Sequence, residues 1–315
     1  MWILVVPFAG WAVLRVAGVV PAWPWVPLVA FTPYVAIASV VPLALAAARR
    51  RWVAAGVAAV SCLALAGSVL PRQLPEANPP AAGARLRVLS VNLRVGQAEP
   101  EALIALVRRL RPDVLTLQEF TAQARERIDA LGLGRLLPHR VDRSAPGASG
   151  SAVYARYPVT ELPMIAHGNF RQTRATLTVS GVPVEVVSVH PCAPRYDGRV
   201  TCWRQGLDAL PRAGGGPRGG GGLRGGGGLR VLAGDFNATL DHPPMRALLA
   251  SGYRDAADVT GQGFTHTWPV VGWKYLPGVQ IDHILASREI AVTRFGVHDL
   301  PGTDHRPVFA SLRLP

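Results

Sequence analysis

The sequence predicts a mixed α/β domain carried behind three apolar, membrane-crossing helices. Three observations lead there. Charge is split unevenly along the chain, strand and helix patterns alternate after residue 85, and most of the strands carry Asn, Asp, Glu or His at or near an end. The 315 residues are 49% hydrophobic and 17% charged, with a net charge of +13. That balance excludes a disordered chain and argues against a soluble enzyme throughout. Residues 1–70 hold four arginines (Arg15, Arg49, Arg50, Arg51) and no acid, while the other 245 residues hold 29 basic and 20 acidic side chains. The second part is long enough for one sizeable core, and the first is too apolar to stand alone in water. Lys274 is the only lysine. The arginine excess therefore reads as composition bias and says little about nucleic acid.

Residues 1–20 form a first apolar run interrupted by Arg15, residues 25–48 a second without charge, and residues 52–70 a third. A helix rises about 1.5 Å per residue, so about 20 apolar residues cross the roughly 30 Å of hydrocarbon in a bilayer. Pro27, Pro33 and Pro42 are better tolerated in a bilayer than in a soluble helix. Trp2, Trp11, Trp23, Trp25 and Trp52 lie mostly near run ends, where amphipathic rings favour the interface. A cleaved signal peptide is the competing reading of the first run, but a basic leading segment is missing and further spans follow. Arg49-Arg50-Arg51 is the dense basic cluster between spans, and such loops stay cytoplasmic. Three crossings then put the N-terminus inside and everything after residue 71 outside. Arg15 would have to snorkel from the outer end of the first span. Cys62 falls inside a span, and Cys192 and Cys202 flank a loop outside, where an oxidising compartment suggests a disulfide.

Residues 71–84 are rich in proline and alanine and read as a short, semi-stiff linker to a domain over 85–315. LRVLSVN (86–92) is a buried-strand pattern. Pro100 opens a helix with Leu103, Leu106, Val107 and Leu110 on one face. DVLTLQE (113–119) is the next strand, and Thr121 caps the helix after it. SAVYAR, RATLTVS, VPVEVVSVH, LRVLAGDFN, VQIDHILAS and HRPVFASLRL follow as strands, with an antiparallel pair expected around Gly181. Residues 213–229, with eleven glycines at 214–228, read as a flexible insertion between a helix and a strand. A phosphate-cradling glycine loop requires the opposite order.

The strand ends carry the chemistry. Asn92, Glu119, His190, Asp235 with Asn237, Asp282, and Asp304 with His305 all stand at or beside such ends. One strand-terminal carboxylate is ordinarily a turn or cap residue; so many together point to a site built by loops at one sheet edge. His283 neighbours Asp282 but faces the other side of its strand, so a packed or surface residue is expected. Arg171 and Arg174 are read either as phosphate contacts or as solvated edge residues, and Arg156-Tyr157-Pro158 as a packing turn. Trp268, Trp273 and Lys274 are read as lining the substrate approach, touching the membrane or covering the core.

SVN, LQE, VSVH, GDFN, IDHIL and TDHRPV, in that order, resemble the endonuclease/exonuclease/phosphatase (DNase I-like) superfamily over roughly residues 86–314. The resemblance implies a four-layer α/β/β/α sandwich, a metal-dependent phosphoester hydrolase, and a site at one edge of paired sheets. It implies Glu119 as the metal ligand with Asn92 and Asp304 beside it, holding Mg²⁺ or alternatively Mn²⁺, which suit oxygen ligands. His305 matches the catalytic histidine as general base or phosphate contact, and Asp282 the acid that orients it. Asp235 would position the attacking water, Asn237 would donate to the developing oxyanions, and His190 would contact the phosphate. No acidic partner for His190 is evident in the sequence.

The expected function is a membrane-anchored, Mg²⁺-dependent phosphoesterase outside the cytoplasm, acting on a lipid-linked phosphate or pyrophosphate that tethering concentrates. The expected partners are that phosphorylated substrate and the lipid bilayer, with no protein partner implied. An extracellular nuclease is the alternative, although no basic stripe with interleaved aromatics accompanies it. A non-catalytic membrane sensor should have lost some of Glu119, Asp235, Asn237, Asp304 or His305, and all are present.

Overall fold

The computed structural model describes residues 1–213, 228–272, 275 and 277–315. Its N-terminal part comprises α1 (Trp2–Ala17), α2 (Trp25–Leu28), α3 (Thr32–Ala38), α4 (Val40–Ala48) and α5 (Trp52–Val69). Two stretches are long and apolar enough to cross a bilayer: Trp25–Ala48 with 24 residues and Trp52–Gln73 with 22. The expectation of a third crossing helix is corrected. The α1 helix has 16 residues, and Gly18 ends it with a left-handed φ of 68°. At 1.5 Å per residue that is about 24 Å, short of the bilayer core. Its Val5 nevertheless packs with Ala46, Ala54, Ala55 and Ala58.

The second apolar run is broken into pieces. Pro27, Pro33 and Pro42 each stand at the second or third residue of α2, α3 and α4. The N–H that proline lacks has no intrahelical partner there. Ile3, Val13, Ile37, Val53, Val60 and Leu63 are largely exposed, so these helices present apolar surface outward.

A buried ion cluster fastens this part to the domain. Asp241 accepts from Arg72 at 2.9 and 2.7 Å and from Arg15 Nε at 2.8 Å. Arg15 thus reaches a carboxylate instead of snorkelling. Thr239 N donates to His242 Nδ1 (2.9 Å), leaving Nε2 to donate to Val26 O (2.8 Å). Residues 71–84, read as a linker, start in a short 3-10 turn (Leu70–Gln73) and then lie along the domain: Glu76 N donates to Val259 O, and the Asn78 side chain pairs twice with the Val292 backbone.

The domain runs β1 (Arg85–Asn92), α6 (Pro100–Leu110), β2 (Val114–Gln118), α7 (Ala122–Ala130), α8 (Leu133–Leu136), β3 (His139–Arg143) and β4 (Ser151–Ala155). It continues with β5 (Val159–His167), β6 (Phe170–Val179), β7 (Val182–Val189), α9 (Asp197–Asp208), β8 (Leu229–Asp235) and α10 (Pro243–Ala250). It ends with β9 (Tyr253–Asp255), α11 (Ala256–Val259), β10 (Asp282–Ser287), β11 (Ala291–Val297) and β12 (Val308–Arg313). Two six-stranded sheets result, ordered β11-β12-β1-β2-β4-β3 and β5-β6-β7-β8-β10-β9.

Side chains alternate across each strand, so every strand feeds two clusters. Val88 and Val114 of the first sheet share one buried cluster with Val186, Val231 and Ile284 of the second. Leu89 and Leu117 pack instead with Leu103 and Ile128 of α6 and α7. Val187 and Leu232 pack with Trp203 of α9 and Leu248 of α10. The expected antiparallel pair is β6–β7, closed by Ser180 and Gly181 at φ 50° and 84°, the positive values a two-residue hairpin turn requires. Of the glycine-rich insertion, residues 214–227 lie outside the described residues.

Candidate active site

Strand direction brings the polar ends together. The parallel pairs β1–β2 and β7–β8 end side by side, with Asn92 opposite Gln118 and Val189 opposite Gly234. The antiparallel neighbours β10 and β12 begin where β8 and β1 end, with Asp282 opposite Asp235 and Val308 opposite Ser90. Four strand ends and two strand starts therefore share one edge.

Asn92 lies at the centre. Its Nδ2 is 3.0 Å from Asp235 Oδ2, 3.3 Å from Glu119 Oε1 and 3.5 Å from His305 Nε2. Its Oδ1 accepts from Arg94 N, while Glu119 Oε2 accepts from Val95 N at 2.7 Å. His190 Nε2 stands 3.6 Å from Asp235 and 3.7 Å from Glu119, which supplies the acidic neighbours the sequence did not reveal. His305 Nδ1 is 2.9 Å from Asp282 Oδ2, and its Nε2 is 3.7 Å from Asp235. Asn237 N donates to Asp235 Oδ1, and Asn237 Nδ2 donates to Pro191 O. Asp304 joins at one remove: it accepts from Trp268 Nε1 (3.1 Å) and pairs with Arg94 (3.7 Å).

Glu119 and Asn237 adopt φ of 53° and 49°. Non-glycine residues seldom take left-handed values, and such positions cluster at functional sites.

Burial sets the electrostatics. It pushes Glu119 and Asp235 above the usual carboxylate range, against the pull of His305. It keeps His190 below its ordinary value despite Asp235, so this ring is neutral. Burial would lower His305 as well, but Asp282 and Asp235 outweigh it and push the ring up to about 10. His305 is therefore an imidazolium at neutral pH.

The other sequence candidates fall elsewhere. His283 is fully buried on the opposite face of β10, 2.8 Å from Asp255. Arg174 pairs with Glu185 at 2.7 Å, Arg171 donates to Ser144 O, and Arg156 pairs with Asp113 as a packing turn would. Trp273 and Lys274 lie outside the described residues. Sequence reasoning missed Thr303, which donates to Asn92 O and accepts from His305 N, and Arg94. Thr303 lies within TDHRPV, where only Asp304 and His305 drew a role, and Arg94 carries no signal, since arginine is ordinary in loops. It also missed the buried chain Ser90–Gln118–Ser188 beneath the site.

Among the described residues, Asp235, Asp282 and His305 can bring ligand atoms within 4.8 Å of one another. With Glu119 alongside, carboxylate oxygens dominate the donor set, while Asn92 turns Nδ2 to the cluster and Oδ1 to Arg94 N. Buried carboxylates drawn toward protonation fit a hard divalent cation.

A sequence profile described as the Endonuclease/Exonuclease/phosphatase family matches residues 89–305, a stretch that includes all eight site residues, and the chain belongs to this family. Its members are metal-dependent phosphoester hydrolases. The structure is similar to that of an endonuclease/exonuclease/phosphatase from Beutenbergia cavernae DSM 12333, at 19% identity and TM-score 0.53, covering 73% of this chain and 72% of that one. It is also similar to D. rerio TDP2 complexed with single strand DNA product, at 16% identity and TM-score 0.54, covering 73% and 99% of the two chains. A family protein from Leptotrichia buccalis C-1013-b matches at 15% identity and TM-score 0.52, covering 73% and 100%. At these identities the likeness concerns the fold. No curated protein matches the chain.

Proposed function

We propose that this chain is a membrane-anchored, Mg²⁺-dependent phosphoesterase with a four-layer α/β/β/α domain outside the cytoplasm, acting on a lipid-linked phosphate or pyrophosphate. The observation that carries the hydrolase reading is the meeting of Asn92, Glu119, His190, Asp235, Asp282 and His305 at one sheet edge, linked by contacts of 2.9–3.7 Å. Glu119, Asn92 and Asp304 would hold the cation. When bound, Mg²⁺ would supply neutralisation of charge on the phosphate oxygens.

The remaining roles fall to the chain's own groups. Asp282 fixes the His305 ring through Nδ1 and keeps it charged, so Nε2–H donates to a phosphate oxygen. Asp235, between the two histidines, orients the attacking water and accepts its proton. Asn237 holds Asp235 through its backbone N–H and offers its second amide hydrogen to the developing oxyanion. Neutral His190 contacts the phosphate from the other side.

The outside placement is supported by Arg49-Arg50-Arg51 and a crossing by α5 toward the domain, whatever course α1 takes. The pairing of Cys192 with Cys202 suits an oxidising compartment. The lipid substrate is supported by contact between anchor and site. Ala30 and Phe31 pack with Trp268, Val279 and Ile281, and Trp268 in turn donates to Asp304.

A substrate panel tests this reading. Wild type and His305→Ala, in detergent, are offered polyprenyl phosphates and pyrophosphates, phospholipid phosphates and plasmid DNA, with and without Mg²⁺. The expected result is Mg²⁺-dependent phosphate release from a lipid substrate that the variant lacks. Degraded DNA with intact lipids would overturn the substrate assignment in favour of a nuclease.

A further inference from the structure

The turn after β1 carries a side chain to which no step of the hydrolysis is assigned. Arg94, Val95 and Gly96 are consecutive and left-handed, with φ of 47°, 55° and 73°. Arg94 N donates to Asn92 Oδ1 at 2.9 Å, and Val95 N to Glu119 Oε2 at 2.7 Å. Arg127 donates to Gly96 O at 2.6 Å. The backbone of this turn is therefore tied to two site residues and to α7. Left-handed conformations favour glycine or asparagine, so the backbone gives no reason for an arginine at this position.

The guanidinium is loosely engaged. Its Nε stands 3.7 Å from Asp304 Oδ1, beyond hydrogen-bond distance, and the side chain is 42% exposed. A pair of that length and exposure contributes little to stability. Asp304 has a closer donor in Trp268 Nε1, at 3.1 Å. Arg174 and Arg230 differ, since both donate to Glu185 at 2.7 Å. Arg94 thus brings N–H groups open to an anion beside Asp304, and its planar fork matches two phosphate oxygens.

Asn92 holds the Arg94 backbone, Asp304 pairs with its side chain, and His305 follows Asp304 directly. An anion on Arg94 therefore lies next to the reacting phosphate and not on a separate surface. The His305 imidazolium and a bound cation meet the charge of one phosphate; a second phosphate beside it adds charge that a further cation balances. A nucleic-acid strand would call for a row of such cations. One guanidinium suits one added phosphate. We propose that Arg94 is a specificity-determining residue that holds a second phosphate joined to the one under attack, so that the site prefers diphosphate esters to monophosphate esters. The inference rests on the phosphoester-hydrolase reading of this edge and not on the lipid.

The test is a calorimetric titration of the full chain in detergent, with excess Mg²⁺, against two probes that resist hydrolysis: methylenediphosphonate and methylphosphonate. Wild type binds the diphosphonate more tightly, by about tenfold or more. Arg94→Ala loses that preference through weaker diphosphonate binding, while its affinity for methylphosphonate stays close to that of wild type. Arg94→Lys keeps the charge without the planar fork and falls between them. Equal affinity of wild type for both probes, a preference that survives Arg94→Ala, or an equal loss for both probes in that variant would overturn the assignment. The last result would mean that Arg94 merely offsets Asp304. Wild type that binds neither probe would refute the phosphate site itself, so the two failures are told apart.

Discussion

His190 and His305 stand almost equally far from Asp235, at 3.6 and 3.7 Å, yet one is neutral and the other charged. The difference lies on the far side of each ring, where His305 alone has Asp282 at 2.9 Å. Asp282→Asn therefore lowers the His305 pKa and costs roughly 10²–10⁴-fold in kcat/KM. An NMR titration with a kinetic profile checks both, and an unshifted ring would refute the assignment. Glu119 and Asp235 are held above the usual carboxylate range, so protons compete with a cation to higher pH than at ordinary carboxylates. Calorimetry should show Mg²⁺ affinity rising with pH, a loss of roughly tenfold or more in Glu119→Gln, and chelation abolishing activity. The chemical types of these groups were legible because each interrupts or ends an apolar strand pattern. Trp268 was seen but not placed, since a tryptophan in a loop reads equally well as cover, contact or anchor.

Strand β10 shows what alternation encodes and what it leaves open. Asp282 and His283 are adjacent and must face opposite ways, as the sequence implies. The partner of His283, Asp255, comes from β9. Burial alone would lower His283, but Asp255 holds it above its ordinary 6.5. The folded state then keeps the proton to higher pH than the unfolded chain. The pair's stabilisation is complete below 6.5 and is lost as pH rises through the folded value. Thermal melts should show the gap between wild type and His283→Asn narrowing as pH rises above 6.5; a constant gap would count against it. The N-terminal helices offer a second case. Asp241 alone receives both Arg15 and Arg72, and all three side chains are at least nine-tenths buried. Asp241→Asn strands two guanidiniums and should cost about 3–5 kcal/mol of stability, visible as a lower melting temperature in detergent. Hydropathy marked these helices as apolar, but not their lengths. Gly18 and the prolines act through backbone conformation, which an apolar count does not register.

For the molecule as a whole, the proposed topology depends on α5 carrying the chain away from Arg49-Arg50-Arg51. Alkaline phosphatase fused after Pro315 should be active outside the cytoplasm, and a reporter active only inside would reverse the orientation. Residue type and local period were enough to mark the apolar N-terminal part, eight of the twelve strands among the described residues (not β3, β5, β9 or β11), and the polar strand ends. Those properties arise within a few residues of one another, where side-chain alternation and backbone preference act directly. The tertiary structure alone decided which ends meet, which histidine is charged, and that Arg15 closes onto Asp241. Asn92 and Asp235 touch across 143 residues of sequence, and Arg15 and Asp241 across 226. Spacing along a chain carries no record of such contacts, because they follow from how whole sheets and helices pack.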